Sequence, residues 1–300
     1  MKIVFMGTPE FAVESLKRLI ESGYEVVGVV TVPDKPAGRG LKMQQSAVKE
    51  YATAMDLRVL QPVKLRDPEW IEEFRALGAD LAVVVAFRML PEMIWAMPPL
   101  GTFNLHSSLL PKYRGAAPIN WAIINGETES GVTTFMLNHQ IDCGDIIEQR
   151  RVEITSEMNA GELHDKLMVV GADLVVDTVK KIEQGRVVFH RQNGESTQAP
   201  KIFKDDCKID FSMGSREIYD KIRGLSPYPT AWCEIGSTTA KIYAAKYVIE
   251  NHSITSGCYE TDNKTFLRFA TSDGWIYANN IQVAGKKAMP IEDFLRGFKL

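Results

Sequence analysis

Asn104 and His106 stand two residues apart in an apolar run, Thr102 to Leu105 and just beyond, that reads as a β-strand. Their side chains therefore leave the same face of that strand. They fall near its C-terminal end, where open α/β sheets place their ligand crevices. An amide donor beside an imidazole can bind an oxyanion and move a proton within one small volume. The plain alternative is a strand-end Asn and His that only satisfy loop backbone. A second polar group, Asn138-His139-Gln140-Ile141-Asp142-Cys143-Gly144-Asp145, follows another predicted strand, Gly131 to Leu137. Asp142 can stand beside His106, orienting and charging the ring, or it can close an Asx turn ahead of Gly144. Spacing leaves both open.

The elements that would carry these groups are legible from the start of the chain. Lys2 to Met6 is a short apolar run of the buried parallel-strand kind. Thr8 is expected as the N-cap of a helix, with Pro9 at its first position and Glu10 complementing its dipole. Ala12, Leu16, Leu19 and Ile20 follow at helical spacing, Gly23 ends the helix, and Glu25 to Val32 is a second strand. Leu81 to Phe87 is a third. This alternation predicts an α/β fold with a doubly wound, mostly parallel sheet. The first strand-to-helix turn, Gly7-Thr8-Pro9-Glu10, lacks the later glycines of a dinucleotide fingerprint, and Glu10 sits where a pyrophosphate needs a bare helix N-terminus.

A long helix is expected from Gly161 to about Gln184, opened by a capping box of Asn159 and Glu162. The polar stretch after Arg191 is broken by Gly and Pro and reads as a connector over 192–205. It separates a catalytic part, 1–191, from a smaller part, 206–300. The latter begins with a helix over Ser215–Arg223, and residues 230–300 read as short strands suited to a small barrel.

Composition narrows the function classes. The 35 Lys+Arg against 38 Asp+Glu give a net charge of -3, so nothing global advertises nucleic acid. No apolar run approaches the roughly 18–20 residues that cross a bilayer, and the N-terminal apolar core is too short for a secretory signal. Cys143, Cys207, Cys233 and Cys258 lie far apart without CxxC pairing. That argues against a zinc site or a disulfide framework and for a reducing cytoplasm.

Asn104, His106, the run Ser108-Leu109-Leu110-Pro111-x-x-Arg114-Gly115 and the Asp142-x-Gly144 turn together resemble the formyltransferases that use 10-formyltetrahydrofolate. Gly7-Thr8-Pro9-Glu10-Phe11-Ala12, Pro33-Asp34-Lys35-Pro36-Ala37-Gly38-Arg39-Gly40 and Gly115-Ala116-Ala117-Pro118-Ile119 resemble the members of that family that act on methionyl-tRNA. The resemblance runs the length of the chain. It implies a Rossmann-like catalytic domain followed by an OB-like β-barrel that grips tRNA. It implies Asn104, His106 and Asp142 as catalytic residues, and Ser108, Leu109, Leu110 and Pro111 as folate contacts. Phe87, Arg88, Met89 and Leu90 would line the pterin pocket, although Arg88 stands where the family usually carries glycine. Lys35, Arg39 and Lys42, in a loop over about Asp34–Lys49, would meet the tRNA acceptor end.

The reaction so implied passes formyl from 10-formyltetrahydrofolate to initiator methionyl-tRNA for translation initiation, by direct aminolysis through a tetrahedral intermediate. It needs no enzyme nucleophile, no metal and no obligate protein partner. A formyltransferase acting on a nucleotide-linked amino sugar would share the same three residues. A noncatalytic RNA-binding protein would have no need of them.

Overall fold

The computed structural model describes residues 1–37 and 42–298. From the N-terminus run β1 (Lys2–Gly7), α1 (Glu10–Glu21), β2 (Glu25–Val30), β3 (Lys35–Ala37) and β4 (Lys42–Gln44). Next come α2 (Ala47–Ala54), β5 (Val59–Leu60), α3 (Pro68–Ala76), β6 (Leu81–Val85), α4 (Glu92–Trp95) and β7 (Thr102–His106). The middle holds β8 (Arg114–Gly115), α5 (Pro118–Ile124), β9 (Glu129–Met136), β10 (Ile146–Glu153), α6 (Ala160–Glu183) and β11 (Gln198–Ala199). After a 3-10 turn at Asp205–Cys207 follow α7 (Ser215–Gly224), β12 (Ala231–Ile235), β13 (Thr238–Ile249) and β14 (Tyr259–Thr261). The chain ends with β15 (Leu267–Ala270), β16 (Gly274–Val283), β17 (Met289–Pro290) and α8 (Ile291–Gly297).

Two compact units are formed. One takes Met1–Gly115, Gly131–Val152 and His164–Gln198, and the other takes Ala116–Ser130, Glu153–Leu163 and Ala199–Leu300. The sheet of the first unit runs β10-β9-β7-β6-β1-β2-β5. From β1 the chain winds outward to β2 and β5, then returns to the other side of β1 for β6 and β7, all in parallel register. The switch point therefore lies between β1 and β6. In β1, Ile3, Val4, Phe5 and Met6 are all fully buried. Consecutive burial of this kind arises when helices cover both faces of a parallel strand, and each such side chain contributes roughly 1.5–3 kcal/mol.

Helix α1 begins one residue later than expected. Pro9 is its N-cap, in an extended conformation (φ -81, ψ 175), and no side chain caps it, so the Thr8 hydroxyl does not play that part. Gly7 brings the helix close, since a Cβ there would stand 2.7 Å from that of Ala12. The capping box forms as expected. The Asn159 amide donates to Glu162 at 2.9 Å, and the Glu162 amide donates to Asn159 at 3.0 Å.

The second unit carries an antiparallel sheet in the order β12-β13-β16-β15-β14, with β17 against β16. β13 and β16 are long strands, and their register slips twice between Ile242 and Ala245. Such bulges add twist and bend, and the sheet curls into a half-barrel. Its core gathers Ile218 and Ile222 from α7, Phe269 and Ile276 from the sheet, and Phe294 and Leu295 from α8. The expectation of strands through residue 300 fails at α8. Pro290 caps that helix, Glu292 and Asp293 occupy its first turn, and Ile291, Phe294 and Leu295 recur at helical spacing.

Candidate active site

β7 is held between β6, which is parallel to it, and β9, which is antiparallel, with Asn104 opposite Phe135 and His106 opposite Thr133. The His106 ring is buried, and its Nε2 lies 2.8 Å from the carbonyl oxygen of Tyr113. A carbonyl only accepts, so Nε2 carries the proton and Nδ1 is the unprotonated nitrogen of the neutral ring. Asp142 places Oδ2 3.9 Å from that Nδ1. The amide of Asn104, half-buried on the same face of the strand, makes no hydrogen bond among the described residues. An uncommitted amide and an uncommitted imidazole nitrogen thus share one strand face, with a carboxylate at the ring.

Asp142 lies in the connection between β9 and β10. There the chain doubles back tightly enough for the Met136 amide to donate to the Asp145 carbonyl at 3.0 Å. Gly144 permits the reversal, because a Cβ there would fall 1.6 Å from the Met136 carbonyl oxygen. Asp142 has a left-handed backbone (φ 53), and its Oδ2 accepts from the Gly115 amide at 2.9 Å. The carboxylate thus faces the ring and accepts from a backbone amide 27 residues away, and it makes no Asx-turn hydrogen bond ahead of Gly144 among the described residues.

The segment after His106 is built around Thr133. Its hydroxyl donates to the Ser108 carbonyl at 2.6 Å and accepts from the Leu110 amide at 3.2 Å. Gln149 donates to the Leu110 carbonyl and to the same Thr133 hydroxyl, each at 2.9 Å. Ser108 is fully buried with its hydroxyl donating to the Lys112 carbonyl, and Leu110 packs with Phe135 and Ile146. Those two side chains hold the turn's shape, while Leu109 and Pro111 remain half-buried. A cavity of about 460 Å³ opens beside Leu110 and Pro111, lined also by Gln149, His190 and Arg191.

After β6 the backbone turns left-handed at Ala86 (φ 47), not at Arg88. The position that resembles a family glycine thus makes no left-handed demand here. The Arg88 guanidinium donates to the carbonyls of Pro62 and Val63 and lies 5.6 Å from the Phe87 ring centre. Leu90 is buried in the core, Phe87 packs at the edge of that core, and Met89 is 73% exposed.

Lys35 is exposed on β3, and the backbone of Lys42 pairs with Ala37 across β3 and β4. Arg39 lies outside the described residues. The base of this segment is pinned at Asp34, which accepts from Lys49 at 2.6 Å and Gln61 at 2.7 Å. Those two hydrogen bonds hold the Asp34 carboxyl below the usual carboxylate range.

Four groups to which the sequence assigns no role of their own stand around these residues. They are the Tyr113 carbonyl, the Gly115 amide, the Thr133 hydroxyl and the side chain of Gln192. Gln192 falls in the stretch that reads as a connector. Its amide nitrogen donates to the carbonyls of Asp142 and Gly144, both at 2.9 Å.

A family model described as formyl transferase matches residues 1–179, and one described as formyl transferase, C-terminal domain, matches residues 201–299. The chain is 56% identical to a methionyl-tRNA formyltransferase of Phocaeicola vulgatus, across all of this chain and 96% of that one. It is 53% identical to a methionyl-tRNA formyltransferase of Parabacteroides distasonis, with the same coverage. Among solved structures, the N-formyltransferase of Helicobacter canadensis in complex with folinic acid and dTDP-3-aminofucose aligns with a TM-score of 0.69 at 24% identity. That alignment covers 93% of this chain and 98% of the other, and it is a likeness of fold. In both its N-terminal and its C-terminal parts, this chain belongs to the formyl transferase family.

Proposed function

We propose that this chain transfers the formyl group of 10-formyltetrahydrofolate to the α-amino group of initiator methionyl-tRNA. Its full-length identity of 50% and above to relatives named for that reaction supports the acceptor. The observation that carries the chemistry is the pair of uncommitted groups on β7, Asn104 and His106, with Asp142 at the imidazole. When the neutral amine adds to the formyl carbon, charge develops on the formyl oxygen. The Asn104 amide donates to that oxygen, a contribution of about 3–4 kcal/mol for a good donor. The Nε2–H of His106 donates to the Tyr113 carbonyl, so the ring can donate from Nδ1 only as the cation. The Asp142 carboxylate stands 3.9 Å from that nitrogen. Together they take the proton that the incoming amine must lose and return one to the departing folate nitrogen, directly or through water.

In this reading Ser108 to Pro111 and Phe87 to Leu90 bound the folate, with Ser108 and Leu110 contributing backbone because their side chains are buried. Lys35, Arg39 and Lys42 meet the acceptor end of the tRNA, and residues 206–300 grip the tRNA beyond it. The four free cysteines support a reducing cytoplasm as the setting. If Arg39 contacts phosphate, Arg39→Ala lowers the salt dependence of tRNA binding through counterion release.

The test supplies 10-formyltetrahydrofolate with methionyl-tRNA, a nucleotide-linked amino sugar, or buffer alone, and follows tetrahydrofolate release. Release that depends on methionyl-tRNA is expected. Release with the amino sugar only, or with buffer, overturns the assignment.

A further inference from the structure

We infer that Gln192 is a positioning residue that sets the geometry of the Asp142 carboxylate. The inference rests on the formyl-transfer reading above and adds a part for a residue outside every motif named so far. The Gln192 side chain spends all of its hydrogen-bonding capacity on one task. Its two N–H groups go to the carbonyls of Asp142 and Gly144, at 2.9 Å each. Its carbonyl oxygen accepts from Nε and Nη2 of Arg114, at 3.1 and 2.6 Å. The orientation of the amide is unambiguous, because guanidinium only donates and backbone carbonyls only accept.

The two acceptors bracket Cys143, so the clamp grips the chain on both sides of the residue after Asp142. Asp142 needs such a grip. Its left-handed backbone (φ 53) is uncommon outside glycine, though Asp adopts it more readily than most residues, and the clamp holds it there. The other end of the clamp, Arg114, is the neighbour of Gly115, whose amide holds Asp142 Oδ2 at 2.9 Å. The Arg114 amide is itself fixed to the Thr197 carbonyl at 2.9 Å. Gln192 therefore ties together the segment that carries the Asp142 carboxylate and the segment that receives it. Of the twenty side chains only Gln and Asn present donor and acceptor at one end this way, and Asn is one methylene short.

The experiment compares wild type, Gln192→Ala and Gln192→Glu in steady-state formylation, with amide hydrogen exchange at Gly115 followed in parallel. Gln192→Glu keeps the acceptor for Arg114 and loses both donors to the loop. With the Asp142 loop released, kcat is expected to fall about 10- to 100-fold, since displacements near 1 Å cost on that order. KM for both substrates should stay within about three-fold of wild type, Gly115 exchange should accelerate, and Gln192→Glu should not rescue. Wild-type kcat per folded molecule in Gln192→Ala, or rescue by Gln192→Glu, would overturn the clamp. If wild type itself fails to formylate methionyl-tRNA, the functional reading falls. Gly115 exchange then still decides whether Gln192 positions Asp142, with unchanged exchange counting against it.

Discussion

His106 and Tyr113 are joined by a hydrogen bond of 2.8 Å from the ring Nε2 to the backbone carbonyl, seven residues along the chain. That bond decides which nitrogen of the ring is free for chemistry. Tyr113 can offer its carbonyl in this direction because its backbone is left-handed (φ 60) and its amide is fixed to the Thr197 hydroxyl at 2.8 Å. The neutral His106 ring is predicted to be the Nε2–H tautomer. Nitrogen chemical shifts of the labelled imidazole measure this directly, and a dominant Nδ1–H form would remove Nδ1 as the proton acceptor.

Asp34 anchors the segment that leads into the loop read as a tRNA contact. Its carboxyl is held low by Lys49 first and Gln61 second. An unfolded Asp titrates near about 3.9. A value depressed in the folded state means that the anchor contributes fully above about pH 4 and is lost as pH falls through the depressed value. Lys49→Met should move the Asp34 titration upward, toward the ordinary value, when followed by the carboxyl carbon signal. An unmoved titration would show that Lys49 does not hold it.

In the second unit Asp220 and Arg223 form a buried pair at 2.7 Å. Arg216 reaches the other carboxylate oxygen at 2.8 Å, and Arg223 donates to the Met158 carbonyl at 2.8 Å. Asp220→Ala strands Arg223 without its partner and should cost about 3–5 kcal/mol. The urea midpoint should drop at unchanged slope. Replacing both residues by apolar ones should recover much of the loss. A single-variant cost below about 1 kcal/mol would place the pair among weak surface bridges instead.

The strand bearing Asn104 and His106 was legible because alternation alone puts residues two apart on one face. The long α6 was legible from its capping box and apolar stripe. Asp142 was legible as a residue but not as a geometry. Its place depends on the antiparallel register of β9 against β7 and on the close reversal at Gly144. β10 carried no clear pattern, with buried Ile146, Ile147 and Val152 spaced among charged residues. Gln192 was hidden because Gly and Pro after it mark a break in regular structure and say nothing about what a side chain there can reach. Tyr113 and Gly115 act through backbone atoms, which every residue has, so no residue type announces them.

Asn104 is the group on which catalysis turns in this reading, and its side-chain amide makes no hydrogen bond among the described residues that its loss would break. Single-turnover formylation of saturating methionyl-tRNA by Asn104→Ala, with the Kd for methionyl-tRNA measured on the same preparation, is the most direct test. The formyl-transfer step is predicted to slow by about 10²- to 10³-fold while Kd stays within about two-fold of wild type. A wild-type transfer rate accompanied by weakened tRNA binding would contradict the assignment of Asn104 to the developing oxyanion.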